Sequence, residues 1–343
     1  MDIKKALVDL CSADGVSGDE IAASQVALSM LKEYTDDCEI DRFYNVTGHF
    51  GVRDDSRQTL LLDAHIDRIG FIVTYIDDDG FVKVAQCGGV DRRITAAQTV
   101  TIHGKEKIKG VVSVLPPHVK SDKESVAKID ELVIDTGFSK EELSEKIALG
   151  DRITIDCEPC ELLNGRICAS AADDRSGVVS ILYALELLKD KKLRYNIDVS
   201  FTVQEETGER GAKMIGYRAA PDMVLEMDVS FAATPDSEKH KCGVLSKGVM
   251  IGIAPSLSRR MSDELISLAE ENKIPYQIEV MADETGTNAD AIGVSKGGAQ
   301  ACTLSIPLRY MHTPVEVVDI EDIKSTAALI AAFAEEKGGE QDA

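Results

Sequence analysis

Apolar strand-like runs alternate with amphipathic helices along the chain, but this alternation stops near residue 69 and resumes after residue 163. Runs such as residues 60–62 are apolar throughout, which is typical of strands covered on both faces in an α/β sheet. Further strands are predicted at 197–203, 223–227, 276–280 and 301–305, and helices at 174–188, 258–272 and 320–334. This order predicts a doubly wound α/β fold.

The interrupting stretch has a different character, because it contains short strands separated by glycines. The strands are predicted at 71–75, 81–85, 99–103 and 107–114, with Asp79-Gly80 as a hairpin signal and one short helix near 139–147. We therefore predict a discontinuous catalytic α/β domain, residues 1–66 and 164–343, with a β-rich domain inserted at 67–163.

The charge balance limits the partners that the chain can bind. It has 60 acidic and 38 basic residues, a formal net charge of −22, which disfavours nucleic acid and anionic membranes as partners. No apolar run is long enough for a signal peptide or a membrane span. The eight cysteines are scattered, and the lone C-x-x-C at Cys157 and Cys160 has no second pair, which favours plain thiols. We predict a cytoplasmic protein that binds neither nucleic acid nor membrane.

Polar residues follow four of the predicted strands of the α/β sheet. Ligands bind beyond the carboxyl ends of strands in such sheets, so these residues are expected to meet at one edge. A further candidate, Asp173, precedes the helix predicted at 174–188. The candidates after strands are His65 and Asp67 after 60–62, Glu205 and Glu206 after 197–203, Asp228 after 223–227, and His312 after 301–305.

This mixture of imidazoles and carboxylates is typical of a site for a borderline metal such as zinc or cobalt. A shared carboxylate allows two ions to lie about 3.5–4 Å apart with a water between them. The adjacent pair Glu205 and Glu206 suits such a site. Neighbours on an extended chain point to different sides, so one can bind metal while the other remains free as a general base.

Each candidate also has a structural explanation when it is taken alone. His65 could be a hydrogen-bonded structural histidine, Asp173 an N-cap of the following helix, and Asp228 a turn residue. The metal hypothesis is favoured because all these explanations would have to hold at once. The remaining histidines follow no comparable motif and are predicted to be structural or surface residues: His49, His103, His118 and His240.

Four motifs in this order resemble those of the tetrahedral aminopeptidases, the glutamyl-aminopeptidase-like metallopeptidases that are sometimes labelled endoglucanase-like. The resemblance covers nearly the whole chain, including the position of the β-rich insert. One departure is Arg68, where many relatives have Glu. The motifs are Ala64-His65-Ile66-Asp67, Asp173-Asp174-Arg175-Ser176-Gly177, Gln204-Glu205-Glu206-Thr207-Gly208 and Pro307-Leu308-Arg309-Tyr310-Met311-His312.

The resemblance implies a role for each candidate and a phosphorylase/hydrolase-like fold for the catalytic domain. His65, Asp173 and Asp228 would bind one metal ion. Asp173 would bridge to a second ion, which Glu206 and His312 would also bind. Glu205 would be the general base and Asp67 would orient the His65 imidazole. The segment 286–291 looks like a loop that lines the family's active site.

The resemblance also implies a quaternary structure. The insert would be the dimerisation domain, and dimers would assemble into a hollow dodecamer. Two divalent ions per subunit are expected, with zinc or cobalt favoured and manganese not excluded.

The predicted function is that of a co-catalytic two-metal aminopeptidase, which removes N-terminal residues from peptides with a free N-terminus. A metal-dependent deacylase of small N-acyl compounds is the main alternative, and a binding protein with a disabled site is a third. An endoglucanase is a poor fit, because the chain has no Trp and only 5% aromatic residues. The sequence does not define the preferred N-terminal side chain.

Overall fold

The computed structural model describes residues 1–113 and 126–336. In these residues the helices are α1 (Ile3–Cys11), α2 (Ile21–Leu31), α3 (Lys140–Lys146), α4 (Ala172–Leu188), α5 (Arg210–Ala219), α6 (Arg259–Asn272), α7 (Asn288–Gly293) and α8 (Ile320–Ala334). The first strands are β1 (Cys38–Ile40), β2 (Val46–Phe50), β3 (Thr59–His65), β4 (Gly70–Ile76), β5 (Val82–Cys87), β6 (Thr99–His103), β7 (Lys107–Val112), β8 (Val133–Asp135) and β9 (Arg152–Ile155). The later strands are β10 (Cys160–Leu162), β11 (Arg166–Ala169), β12 (Asn196–Thr202), β13 (Met223–Phe231), β14 (Val249–Ile253), β15 (Tyr276–Val280), β16 (Gln300–Arg309) and β17 (Glu316–Asp319).

An eleven-stranded mixed sheet forms the larger part of the fold. Its main path runs β1-β2-β12-β3-β13-β16-β17-β11-β10, and β14 branches from β16 and pairs with β15. The central strands β12, β3, β13 and β16 are parallel, so their carboxyl ends lie at one edge. Helices α4 and α8 pack together beside these strands. This is the α/β arrangement that the sequence predicts.

The other strands form a separate closed barrel, in the order β4-β5-β8-β7-β6-β9. Its buried residues, among them Phe71, Val100 and Ile153, form a hydrophobic core distinct from that of the sheet. In sequence the barrel strands lie between β3 and β10 of the large sheet. The barrel therefore starts directly after the first candidate motif at His65.

Several predicted elements differ from the observed ones in their extent. Strand β13 continues through Asp228 to Phe231, and β16 continues through Pro307 to Arg309. The prediction ended both strands too early, because Asp228 and Pro307 interrupt their apolar runs. The pattern also missed β8 to β11, β14 and β17, most of which are only three to five residues long. Part of the predicted strand 107–114, residue His118 and the chain after 336 fall outside the described residues.

Side-chain caps define the ends of several helices. The Asp2 carboxylate accepts a hydrogen bond from the backbone N–H of Lys5 at the start of α1. Ser139 and Glu142 form a capping box at the start of α3, the short helix predicted near 139–147. None of the helices in the described part of the chain has the length and hydrophobicity needed to cross a bilayer.

Arg175 links the N-terminal segment to the end of β3. Its guanidinium is fully buried and donates hydrogen bonds to the backbone carbonyls of Leu10, Ala13 and Ile66. Ile66 directly follows His65, so this contact fixes the chain beside the candidate site. The second motif of the sequence therefore includes a structural residue as well as a candidate ligand.

Replacing Arg175 with methionine is expected to lower the free energy of unfolding by about 3 kcal/mol, because three backbone carbonyls each lose a hydrogen bond from the buried guanidinium. The measurement is chemical denaturation of chelator-treated protein, so that bound metal does not mask the change. Arg93→Met, at an exposed arginine in the barrel domain, is the control. Equal stability of the two variants would contradict a structural role for Arg175.

Candidate metal centre and active site

Five candidate ligands converge at the carboxyl edge of the central strands. They come from separate parts of the chain: His65 ends β3, Asp228 lies within β13, Asp173 lies in the first turn of α4, Glu206 follows β12, and His312 follows β16. This convergence follows from the parallel pairing of the central strands, because their carboxyl ends all lie at the same edge of the sheet.

The first ligand group consists of His65, Asp173 and Asp228. Their nearest ligand atoms lie within 4.8 Å of one another. The His65 Nε2 atom is 3.0 Å from Asp173 Oδ1, and all three residues are buried. One imidazole and two carboxylates thus face a common point.

The second group consists of Asp173, Glu206 and His312, again within 4.8 Å of one another. The His312 Nε2 atom is 3.4 Å from Asp173 Oδ2 and 3.5 Å from Glu206 Oε2. Asp173 therefore belongs to both groups and offers one oxygen to each. This is the arrangement expected of a carboxylate that bridges two ions.

The donor set fits divalent ions such as zinc or cobalt, which accept imidazole and carboxylate together. Burial raises the pKa of both Asp228 and Glu206 well above the usual range. Among the described residues, no lysine or arginine forms an ion pair with Asp173, Glu206 or Asp228. Divalent cations would supply the missing positive charge.

In both histidines the Nδ1 atom lies near a backbone oxygen. The Nδ1 atom of His65 lies 3.2 Å from the backbone oxygen of Asp67 and 3.5 Å from its carboxylate. Hydrogen bonding to Asp173, opposed by burial, raises the pKa of His312 to about 9. The Nδ1 atom of His312 lies 3.1 Å from the backbone oxygen of Gly89. Each ring therefore presents its Nε2 atom to Asp173.

Asp67 also organises the segment that contains Glu205 and Glu206. Its carboxylate accepts hydrogen bonds from the backbone N–H of Glu205 at 3.0 Å and of Glu206 at 3.3 Å. The Ser17 hydroxyl donates to the same carboxylate. Asp67 thus contacts both the His65 side and the Glu205–Glu206 side of the site, a wider contact than the sequence predicts.

Glu205 lines the cavity but belongs to neither ligand group. Burial raises the pKa of Glu205 to about 7, the His65 imidazole opposes that change, and the charges of Asp67 and Asp173 add to it. A carboxylate in this position can exchange a proton with a molecule at the metal centre.

The structural roles considered for Asp173 and Asp228 differ from the observed geometry. Asp174 provides the capping contact, because its Oδ1 atom accepts from the Gly177 N–H at 3.0 Å, whereas the Asp173 carboxylate faces the two histidines. Asp228 lies within a strand and is not in a turn. Elsewhere, His49 contacts Asp198 and His103 contacts Thr154, as expected of structural residues.

Glu316 supports the centre and was not anticipated from the sequence. Its Oε2 atom accepts from the Asp173 N–H at 3.2 Å and its Oε1 atom from the His312 N–H at 3.0 Å. Burial and the charge of Asp173 raise the pKa of Glu316 to about 8, and the nearby Arg68 guanidinium acts in the opposite direction. Arg68 is buried, and it lies near Glu316, the residue that positions Asp173 and His312.

Replacing Glu316 with glutamine is expected to weaken metal binding about 10- to 100-fold, because one of the two backbone donors loses its acceptor. Metal affinity would be measured by competition with a chromogenic chelator. Glu321→Gln, at an exposed carboxylate five residues further on, is the control. Unchanged affinity in the Glu316 variant would contradict the positioning role.

Two glycines from the barrel segment complete the wall of the site. A Cβ atom added at Gly89 would lie 2.8 Å from His312 Nδ1, and one at Gly88 would lie 3.1 Å from Glu206 Oε2. Larger residues here would displace a candidate ligand. The Gly88-Gly89 pair thus allows the barrel to approach the candidate metal centre closely.

The centre opens into a cavity of about 840 Å³. Apolar side chains such as Met250, Ile278 and Met281 line part of it, and Gly286 and Thr287 line another part. Its size and mixed lining are those of a small-molecule or peptide-terminus site.

Comparison with known proteins shows the family to which the chain belongs. The family model described as M42 glutamyl aminopeptidase matches residues 45–329. The chain belongs to the M42 family. The matched range includes every candidate ligand, Glu205, Asp67 and the barrel. The resemblance stated from the motifs is therefore confirmed.

The similarity of this M42 member to individual proteins extends over almost its full length. It is 31% identical to a lysyl aminopeptidase of Pyrococcus furiosus, over 95% of this chain and 95% of the relative. An aminopeptidase structure from the archaeon Desulfurococcus kamchatkensis matches with a TM-score of 0.91 and 35% identity, covering 98% of this chain and 95% of that one. The Pyrococcus horikoshii TET1 peptidase, described as assembling into a tetrahedron or a large octahedral shell, matches at 0.86 and 29% identity, covering 98% and 100%.

These comparisons show a peptidase of the hydrolase class with aminopeptidase activity. Members of the M42 family are metal-dependent, and the two ligand groups are candidate binding sites for the ions.

Proposed function

We propose that this M42 aminopeptidase uses two divalent ions and that Glu205 is its general base. The observation that supports the proposal is that the two ligand groups share Asp173, while Glu205 lies beside them outside either group. His65, Asp173 and Asp228 would bind one ion, and Asp173, Glu206 and His312 the other. Zinc or cobalt suits these ligands best.

When bound, such ions lower the pKa of a water molecule and polarise the scissile carbonyl. The side chains of this protein then have separate tasks. Glu205 removes a proton from the attacking water and delivers it to the leaving amine. Asp67 accepts hydrogen bonds from the backbone of Glu205 and Glu206 and contacts His65. It therefore fixes the position of the base relative to the ligands His65 and Glu206.

The decisive experiment uses protein that has been stripped with a chelator and reloaded with zinc, cobalt or manganese. Hydrolysis of aminoacyl-p-nitroanilides should be lost on stripping and restored by metal. Two ions per subunit should be found by elemental analysis. One ion per fully active subunit would contradict the two-metal proposal.

Two other activities have defined tests on the same protein. A deacylase would hydrolyse N-acetylated amino acids in preference to substrates with a free amine, whereas an aminopeptidase requires the free amine. An endoglucanase would release reducing sugar from a β-glucan without metal. The donor set of two imidazoles and several carboxylates favours neither alternative over the aminopeptidase.

We also propose that the chain forms a homo-oligomer, a dodecamer built from dimers, in which the barrel is the dimerisation domain. The proposal is supported by the similarity to PhTET1-12s, described as a dodecamer, over 98% of this chain and 100% of that one. A cytoplasmic location stays a prediction. Light scattering tests the assembly, and a mass near the monomer value of 37.1 kDa would contradict it.

The names of relatives do not agree on the preferred first residue of the peptide. The family model is described as glutamyl aminopeptidase, whereas the similar P. furiosus protein is a lysyl aminopeptidase. The preference of this chain must therefore be inferred from its own cavity.

A further inference from the structure

The cavity contains one carboxylate that belongs to neither ligand group and lies away from Glu205. It is Glu279, on β15, which reaches into the cavity from the edge of the sheet. Its Oε2 atom accepts a hydrogen bond from the Ser305 hydroxyl at 2.6 Å, and its Oε1 atom accepts one from the Ser230 hydroxyl. Two uncharged hydroxyl groups thus hold the Glu279 carboxylate in place.

No cationic side chain in residues 1–113 or 126–336 lies within ion-pair distance of Glu279, in contrast to many of the surface carboxylates. Burial raises the pKa of Glu279, and the two serine hydroxyls oppose that change only in part. An ionised carboxylate has about four acceptor sites, of which two are used here. Space for additional donors remains on the cavity side.

The position of Glu279 relative to the metal centre is defined by the two strands that hold its serines. Ser230 lies two residues beyond the candidate ligand Asp228 on β13, so both point to the same face of the sheet, about 7 Å apart along the strand. Ser305 is the parallel partner of Asp228 on β16. The Glu279 carboxylate therefore contacts two serines that neighbour the candidate ligand Asp228, one on its own strand and one on the adjacent strand.

The cavity lining also includes apolar side chains. Met250, Ile278 and Met281 line the same cavity, and methionine side chains adapt to the shape of a bound chain. A lysine has a four-carbon apolar stem that ends in an ammonium with three donors, and an arginine offers a longer stem and a planar donor group. Such side chains match a cavity lining that offers both apolar side chains and a carboxylate.

The cationic side chains at the cavity mouth do not neutralise the negative charge of Glu279. Lys241 lies at the rim, largely exposed, and pairs with Glu238 at 2.7 Å. His240 is also exposed and lies 3.7 Å from the same Glu238. An acidic substrate side chain would gain little from these paired groups and would meet the charge of Glu279 in the interior.

We propose that Glu279 makes this enzyme selective for peptides with a basic N-terminal residue, lysine or arginine. The inference rests on the aminopeptidase function proposed above and adds the substrate class. Glu279 would bind the terminal ammonium or guanidinium of the first residue, while the stem packs against the apolar side chains of the lining. It is a specificity residue and takes no part in bond cleavage.

The test compares the metal-loaded wild type with Glu279→Gln on lysyl-, arginyl-, leucyl- and glutamyl-p-nitroanilide. The wild type should have its highest kcat/KM on the basic substrates. In the variant the ratio of lysyl to leucyl kcat/KM should fall about 10- to 100-fold, mainly through KM, because a charge-assisted hydrogen bond is lost. Glu238→Gln removes the same charge from the rim and should leave that ratio within about twofold.

Several outcomes would overturn the inference. They are a wild type that prefers leucyl or glutamyl substrate, a Glu279 variant that loses activity equally on all substrates, and a Glu238 variant that changes the ratio as much as the Glu279 variant. A wild type that hydrolyses no substrate in any metal would instead reject the proposed function. Calorimetric binding of lysinamide and norleucinamide to the metal-loaded protein then tests Glu279 without turnover, and equal affinities would overturn its role.

Discussion

Replacing Glu205 with glutamine should lower kcat for aminoacyl-p-nitroanilides by about 10²- to 10⁴-fold, the usual contribution of a general base. Glutamine has nearly the same shape but cannot accept the proton of the attacking water. The backbone contact to Asp67 does not involve the side chain and should survive. The variant should therefore bind metal with wild-type stoichiometry and lose only turnover.

The matched control for this variant is Glu209→Gln. Glu209 is a partly buried carboxylate four residues further on, and its charge contributes to raising the pKa of Glu205. Removing that charge should change kcat only a few-fold, because Glu209 lies outside the cavity lining. Near-normal kcat in the Glu205 variant, or loss of its metal, would show that Glu205 is not the base.

Four of the five candidate ligands could be predicted because they follow strongly apolar strands, whereas Asp173 was identified from the helix that it precedes. A strand such as β3 is buried on both faces, so its sequence is easily recognised and the polar residue at its end stands out. His65 and Glu206 were found in this way, without knowledge of strand order. The parallel pairing of β12, β3, β13 and β16 then brings their ends together.

The supporting residues could not be predicted in the same way, because their roles depend on contacts between distant segments. Glu316 begins the short strand β17, and nothing in its neighbourhood indicates that both its oxygens accept from ligand backbones. The roles of Gly89 and Glu279 likewise depend on the packing of the barrel and of β15 against the centre. Short strands with few residues give too weak a periodicity to be placed from sequence.

Replacing Asp173 with asparagine is expected to abolish binding of at least one ion and to lower kcat/KM by more than about 10³-fold, because bound ions supply several kcal/mol of transition-state stabilisation. Asp173 is the only residue common to the two ligand groups that the described residues form. An amide has one acceptor oxygen and no negative charge, so it cannot serve both groups. Elemental analysis and kinetics on the same metal-reloaded sample measure the two losses together.

The neighbouring carboxyl provides a demanding control, since Asp174 is equally buried but belongs to neither group. Burial and the charge of Asp228 raise the pKa of Asp174 well above the usual range, so asparagine resembles its neutral form and can still accept from Gly177. Asp174→Asn should therefore retain both ions. Loss of metal from both variants would mean that the substitutions disturb the fold at the start of the helix. Loss of metal from the Asp173 variant alone would identify Asp173 as the ligand that bridges the two ions.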